Sequence, residues 1–211
     1  MRVLIFIAFG TLLMCGCVDV KIASEMPKVE YYSLQNPRSS PQSSVSQKGR
    51  DSKARLKSPC QVVKASRLGV LDMVASAPFD SSAIYTLHKE SLQMRALSSM
   101  QWINSPKDML KIALLNELQN HCFNVASTPF GTQKLDKILK TTLLSLQVVD
   151  EGGSYRAEVS IFYELLDNAH YRAKSGTITR FENLESLSGS EVARGFAKAR
   201  DEVFTALLSA L

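Results

Sequence analysis

The stretch TTLLSLQVVDEGGSYRAEVSIFYELLD, residues 141–167, decides the fold. Its two halves are rich in Thr, Val, Ile, Tyr and Phe, and Gly152-Gly153 lies between them. That arrangement reads as a β-hairpin, TTLLSLQVVD (141–150) returning as YRAEVSIFYELLD (155–167). In the returning strand Arg156, Glu158, Ser160 and Tyr163 alternate with Tyr155, Ala157, Val159, Ile161 and Phe162. The alternation gives one wet face, and its phase blurs near Phe162. HYRAKSGTITRF, residues 170–181, alternates again and is expected to pair with that strand.

Other strands are read upstream. KVEYYSL (28–34) is a short strand, of which 30–34 is the first strand of the domain, and RLGVLDMVAS (67–76) is an apolar core strand that Pro78 ends. AIYTLH (83–88) and SLQMRAL (91–97) form a further hairpin across Lys89 and Glu90, although that turn lacks the usual Gly or Asn. CFNVAS (122–127) is the strand after the first helix.

Two helices are expected. Ser105-Pro106-Lys107-Asp108 supplies a cap, a Pro at the first helical position and an acid in the first turn. Leu110, Leu114, Leu115 and Leu118 follow at helical spacing. Ser188-Gly189-Ser190-Glu191 has the form of a capping box, after which Val192, Phe196, Ala199, Val203 and Leu207 draw one apolar stripe. The stripe reads as a core face more readily than as a groove for a partner. The expected architecture is α+β: a mostly antiparallel sheet with two amphipathic helices packed on one face, following a lipidated N-terminal tether.

The tether is read from residues 1–17. Arg2 precedes VLIFIAFGTLLM, an apolar run too short to span a bilayer, which needs about 20 residues. A basic start and a short apolar core describe an export signal. The run ends Leu13-Met14-Cys15-Gly16-Cys17, which resembles the bacterial lipobox. The resemblance implies that residues 1–16 are a signal peptide and that Cys17 carries a diacylglycerol and an N-acyl chain. Gly16 suits the peptidase, whereas Met14 before Cys15 suits it poorly. Two or more acyl chains anchor stably where one does not. Asp19 stands one place beyond the position that commonly holds such proteins in the inner membrane. The expected location is therefore the outer membrane, facing the periplasm, with residues 17–29 as tether.

Charge is unevenly placed. The formal net charge is +5. Residues 35–59 hold Arg38, Lys48, Arg50, Lys53, Arg55 and Lys57 against Asp51 alone, so the basicity lies in this Ser/Pro-rich segment and residues 60–211 are neutral. A nucleic-acid interface needs a basic face on the fold itself, which argues against nucleic acid as a partner. The segment has too few apolar residues to offset the entropy of ordering and is expected to be a disordered loop within a domain that resumes at residue 60. Attraction to anionic head groups is a weaker reading of it.

No catalytic constellation emerges. His88, His121 and His170 lie in unrelated elements, and there is no HExxH, nucleophile elbow, P-loop or dinucleotide fingerprint. Neither a metal nor a cofactor is expected beyond the covalent lipid on Cys17. Cys60 and Cys122 form either a structural disulfide or two buried thiols. Trp102, just before a helix, either plugs the gap between helix and sheet or anchors an interface, and Phe79 and Tyr85 share that ambiguity.

Several of these features come together in a known pattern. A lipobox is followed by Tyr31-Tyr32-Ser33-Leu34, then by an apolar strand leading into Ala77-Pro78-Phe79-Asp80 and Ile84-Tyr85. Trp102 then stands before a Pro-started helix, and a final helix closes the chain. This resembles the auxiliary lipoproteins of bacterial ABC-type transport systems that work with MCE-domain proteins. The Ser-rich insertion at 35–59 departs from that pattern. The resemblance implies a non-catalytic outer-membrane lipoprotein that docks a periplasmic lipid-transport assembly through an MCE-domain partner. The alternatives are a periplasmic lipid-binding carrier and an outer-membrane assembly factor. A homo-oligomer is compatible with each.

Overall fold

The computed structural model describes residues 28–35, 60, 66–168 and 172–211. The expected signal peptide, Cys17, most of the tether, the basic segment beyond Gln35 and His170 lie outside the described residues. The described elements are nine strands and two helices. The strands are β1 (Glu30–Tyr32), β2 (Arg67–Val70), β3 (Val74–Ala75), β4 (Ala83–His88), β5 (Gln93–Trp102), β6 (Asn124–Ser127), β7 (Lys137–Asp150), β8 (Tyr155–Asp167) and β9 (Arg172–Leu184). The helices are α1 (Pro106–Asn120), between β5 and β6, and α2 (Gly189–Ala210), after β9.

One strand organises the sheet. Along one edge β7 takes β2, β3 and β4 in succession, all parallel, from Leu68 beside Lys137 to His88 beside Asp150. Its other edge pairs antiparallel with β8 from Lys137↔Asp167 to Asp150↔Tyr155, and β8 pairs with β9 along its whole length. β5 lies antiparallel on β4, β1 lies parallel on β5, and β6 lies parallel on β2. The longest ladders are antiparallel and the sheet is open, as the α+β reading expects. The short parallel contacts have no counterpart in the sequence reading.

The apolar residues of the inner face set the core. Leu139, Leu143, Leu146 and Val148 of β7 and Ala157, Val159, Ile161, Tyr163 and Leu165 of β8 are all buried. Residues on β7 keep this face only because a bulge between Leu143 and Ser145 shifts the register by one. Leu144 is the extra residue and is exposed. The same core takes Met109, Leu110, Leu114 and Leu118 of α1 and the full stripe Val192, Phe196, Ala199, Val203 and Leu207 of α2. The stripe is thus a core face. Lys137 and Lys174 donate from the strands to the carbonyls of Leu211 and Ala210, satisfying the end of α2, which has no basic residue in its last turn.

Several local expectations are corrected. The 67–76 strand is broken over Leu71–Met73, where only the Leu71 N–H still reaches β7, donating to the Leu139 carbonyl. The β4–β5 turn spans Lys89–Leu92, with Leu92 at φ 55°, and β5 runs on through Trp102. Tyr163 faces the core and Phe162 faces out, so β8 keeps strict alternation to its end. Cys122 does not begin a strand. It closes α1 at φ 63°, donating its N–H to the Gln119 carbonyl. Neither Ser105 nor Ser188 makes a side-chain cap bond, and Glu191 instead accepts from the Glu185 backbone and pairs with Arg194. Ile112 of α1 is exposed, so that helix is less cleanly amphipathic than α2.

A disulfide joins Cys60 to Cys122, with Cα atoms 5.5 Å apart and a sequence separation of 62. Closing a loop of that length limits the unfolded chain by up to about 4 kcal/mol in the loop-entropy model. Reduction with dithiothreitol is therefore expected to lower the urea midpoint, and a Cys60→Ser/Cys122→Ser variant should match the reduced protein and no longer respond to reductant. A second test concerns packing. A Cβ on Gly195 of α2 would overlap Leu184 and lie 3.3 Å from the Cβ of Ala157. Gly195→Val should cost about 1–3 kcal/mol through overpacking, read by urea unfolding followed by Trp102 fluorescence.

Candidate interaction surface

The residues singled out in the sequence separate cleanly. Trp102 is 1% exposed and meets the Phe196 ring edge-on, 5.4 Å between centroids, so it fills the gap between sheet and helix. Phe79 is buried as well and packs edge-on against Tyr85 at 6.4 Å. Tyr85 alone of the three is only half-buried, and its hydroxyl lies 3.2 Å from Ser81 Oγ. Of the expected contact residues, Tyr85 is therefore the one with surface to offer. His121 pairs with Glu117 at 3.2 Å, and its neighbour Cys122 is held in the disulfide, which removes that thiol as a nucleophile.

Tyr85 stands on the face of the sheet opposite the helices. Strand alternation places Leu87 of β4, Met94 and Ala96 of β5, Val149 of β7, Arg156, Glu158 and Phe162 of β8 and Phe181 of β9 on that same face. Registers bring them into rows. Leu87 lies between Met94 and Val149, and Val149 lies beside Arg156. Tyr85 and Glu158 flank Gln147, and Phe181 lies beside Glu158. Phe181 is 43% exposed and Met94 37%.

The surface is neither bare hydrocarbon nor a charged patch. Arg156 reaches Glu151 at 2.6 Å, and its guanidinium carbon sits 4.7 Å from the Phe181 ring centroid, a cation–π contact. Ser145 donates to Glu158, Gln147 Nε2 donates to the same carboxylate at 3.5 Å, and the Ser160 and Thr179 hydroxyls are 2.7 Å apart. Ser145 and Gln147 are buried, and Gln147 Oε1 and Arg156 Nε are left without a partner. Groups of that kind favour a further polar contact.

At the sheet margin Tyr31 and Ile103 are also exposed, and Ile103 donates its N–H to Tyr32. Sequence reading missed the Leu87–Met94–Val149–Arg156–Phe181 surface because each strand contributes one or two residues. The signal was the set of positions alternating with the core residues, legible only once the registers are known. Among the described residues no group of His, Cys, Asp and Glu could hold a metal, and no helix is long and apolar enough to cross a membrane.

Three carboxylates tie the frame that carries this surface. Hydrogen bonds from Lys111 and Thr128 hold the Asp72 carboxyl below its ordinary range, joining the β2–β3 link to α1 and the end of β6. Lys89, with Arg156, does the same for Glu151. Arg194 does so for Glu191.

No protein-family model and no curated protein sequence matches the chain. Solved structures do. Protein XCC0632 from Xanthomonas campestris, of the DUF330 family, aligns with TM-score 0.59 at 21% identity, over 67% of this chain and 80% of that one. An uncharacterised protein aligns with TM-score 0.58 at 14% identity, over 69% and 92%. Protein CT253 from Chlamydia trachomatis aligns at 0.49 and 9%, over 69% and 94%. The first two establish that the α+β arrangement recurs in natural proteins.

Depressed carboxyl values carry a pH signature. Each group contributes stability that is complete above its unfolded value, about pH 4, and is lost as pH falls through the lower folded value. Urea midpoints should be flat from neutrality to about pH 5 and fall below about pH 4. Asp72→Asn should show a shallower fall in acid and a lower midpoint at neutral pH.

Proposed function

We propose that the protein is a non-catalytic lipoprotein, anchored through acyl chains on Cys17 to the periplasmic face of the outer membrane. It docks an MCE-domain protein of an ABC-type intermembrane lipid-transport system. The observation that carries the docking role is the sheet face on which exposed Met94 and Phe181 and half-buried Tyr85 surround an aromatic-stacked arginine, with Val149 buried beneath them. Aromatic residues, Met and Arg are the types that protein interfaces enrich. The family resemblance in the sequence supports the identity of the partner. The solved neighbours support the fold, and their names mention no transport system.

The carrier alternative needs an enclosed, mostly apolar cavity. A cavity of about 300 Å³ is lined by Thr86, His88, Ser91, Gln93, Arg95 and Asp150, and one of about 90 Å³ lies by Leu68, Phe123 and Leu211. The first is lined by polar side chains, the second is too small for an acyl chain, and a third of about 230 Å³ by Asp167, Asn168 and Arg172 lies open at the strand ends, so among the described residues docking is the better reading.

Affinity capture of the tagged, lipidated protein from membranes in mild detergent tests this. The expected result is recovery of an MCE-domain protein together with its ABC subunits. Met94→Lys and Phe181→Glu, both at exposed positions, should each cut that recovery about tenfold, as loss of an interface anchor does. Cys17→Ala should move the protein out of the membrane fraction. Recovery of only an outer-membrane barrel, or equal capture by the surface variants, overturns the docking reading.

A further inference from the structure

The helix-bearing face carries a second feature, at the end that neither helix reaches. Three neighbouring strands contribute to it. Thr86 and His88 lie on β4, Gln93 and Arg95 lie opposite them on β5, and Asp150 lies beside His88 on β7. These positions continue the core ranks of Ile84 and Val148, so the face changes from apolar to polar within one residue pair. With Ser91 they line a half-open cleft of about 300 Å³, a volume at the lower end of small-molecule sites.

The chemistry of the lining is specific. Arg95 has no ion-pair partner among the described residues. His88 Nδ1 accepts from the Ser91 N–H at 3.3 Å and lies 3.1 Å from its hydroxyl. With Nδ1 occupied as an acceptor, Nε2 is the ring nitrogen left to donate. Thr86 Oγ1 is buried at the cavity wall without a partner. Asp150 uses Oδ1 to accept from the Gly153 N–H at 3.0 Å, and its carboxylate borders the cavity. One wall thus offers a guanidinium and an imidazole N–H to an anion. The other offers a carboxylate, which repels a simple anion and attracts a cation.

We propose that this cavity binds a small zwitterion in which a phosphate is joined to an ammonium group, the chemistry of phosphoethanolamine. The phosphate takes Arg95 and His88, and the ammonium takes Asp150. Arg presents its donors in a fork that matches phosphate oxygens. An inorganic phosphate satisfies only half of the site and meets Asp150 as a like charge. Such a zwitterion comes from two sources, the free metabolite and a phospholipid headgroup. The site lies on the opposite sheet face from the docking surface, so neither depends on the other.

Titration calorimetry on the full lipidated protein in nonionic detergent tests the site. The probes are phosphoethanolamine, inorganic phosphate, ethanolamine, and short-chain phosphatidylethanolamine and phosphatidylglycerol. Phosphoethanolamine should bind saturably and more tightly than phosphate or ethanolamine. Arg95→Gln, at an exposed position, should weaken it about tenfold or more, the worth of one hydrogen bond to a charged group. Asp150→Asn should weaken phosphoethanolamine while strengthening inorganic phosphate, a reversal that loss of folding does not produce. Tighter binding of the short-chain phosphatidylethanolamine identifies a headgroup as the source, and equal or weaker binding identifies the free compound. Phosphate and phosphoethanolamine bound equally, no saturable binding, or an unaltered Arg95→Gln profile each overturns the proposal.

Discussion

The two hydrogen-bonding edges of β7 take four strands directly, and the remaining four build outward from those. One edge is filled continuously by β8. The other is shared by β2, β3 and β4, which are successive pieces of one stretch of chain running parallel to it. A parallel neighbour needs a crossover, and here the crossover contains β5, α1 and β6. The helix α1 is therefore obliged to sit over the β2–β4 half of the sheet, and α2, following β9, over the other half. The core, the uncovered face and the polar cavity are consequences of that division.

The bulge at Leu144 decides which residues belong to which face. Strands alternate with a period of two, so one extra residue exchanges every later side chain between faces. Before the bulge Leu139, Thr141 and Leu143 point to the helices, and after it Leu146, Val148 and Asp150 do. Without it Ser145 and Gln147 would enter the core and Val148 would leave it. The exchange also puts Gln147 and Val149 on the docking face and Asp150 beside His88. Both candidate surfaces thus depend on one irregular position, whose own side chain is spent on solvent.

Much of this was legible beforehand, and the reasons for the rest are specific. The β7–β8–β9 meander and the α2 stripe showed themselves because their signals are local: alternation, a Gly-Gly turn and helical spacing. The broken strand at 67–76 was not legible, because Leu71 and Met73 are as apolar as their neighbours and only the pairing shows where the ladder lapses. Trp102 allowed two readings, because a large aromatic before a helix serves a core or an interface equally well until its contact with Phe196 is seen. The docking face and the cavity are assembled from residues on five and three strands. No window of sequence contains them, and Arg95 and Asp150 read there as ordinary solvated charges.

The described ends of the basic 35–59 segment are held by two different devices. Arg200, 2% exposed within the α2 stripe, donates to the Leu34 carbonyl and pairs with Asp201, and Tyr32 packs over Gly189. β1 has only three residues in its ladder, so these side chains, more than backbone pairing, hold it in place. At the other end Cys60 is tied to the end of α1 by its disulfide. The cost of closing a loop between fixed ends rises only about 0.6 kcal/mol for each doubling of its length. Once Leu34 and Cys60 are both pinned, the fold is nearly indifferent to how much chain lies between them. A long basic segment can therefore be carried at this point without disturbing either surface of the sheet.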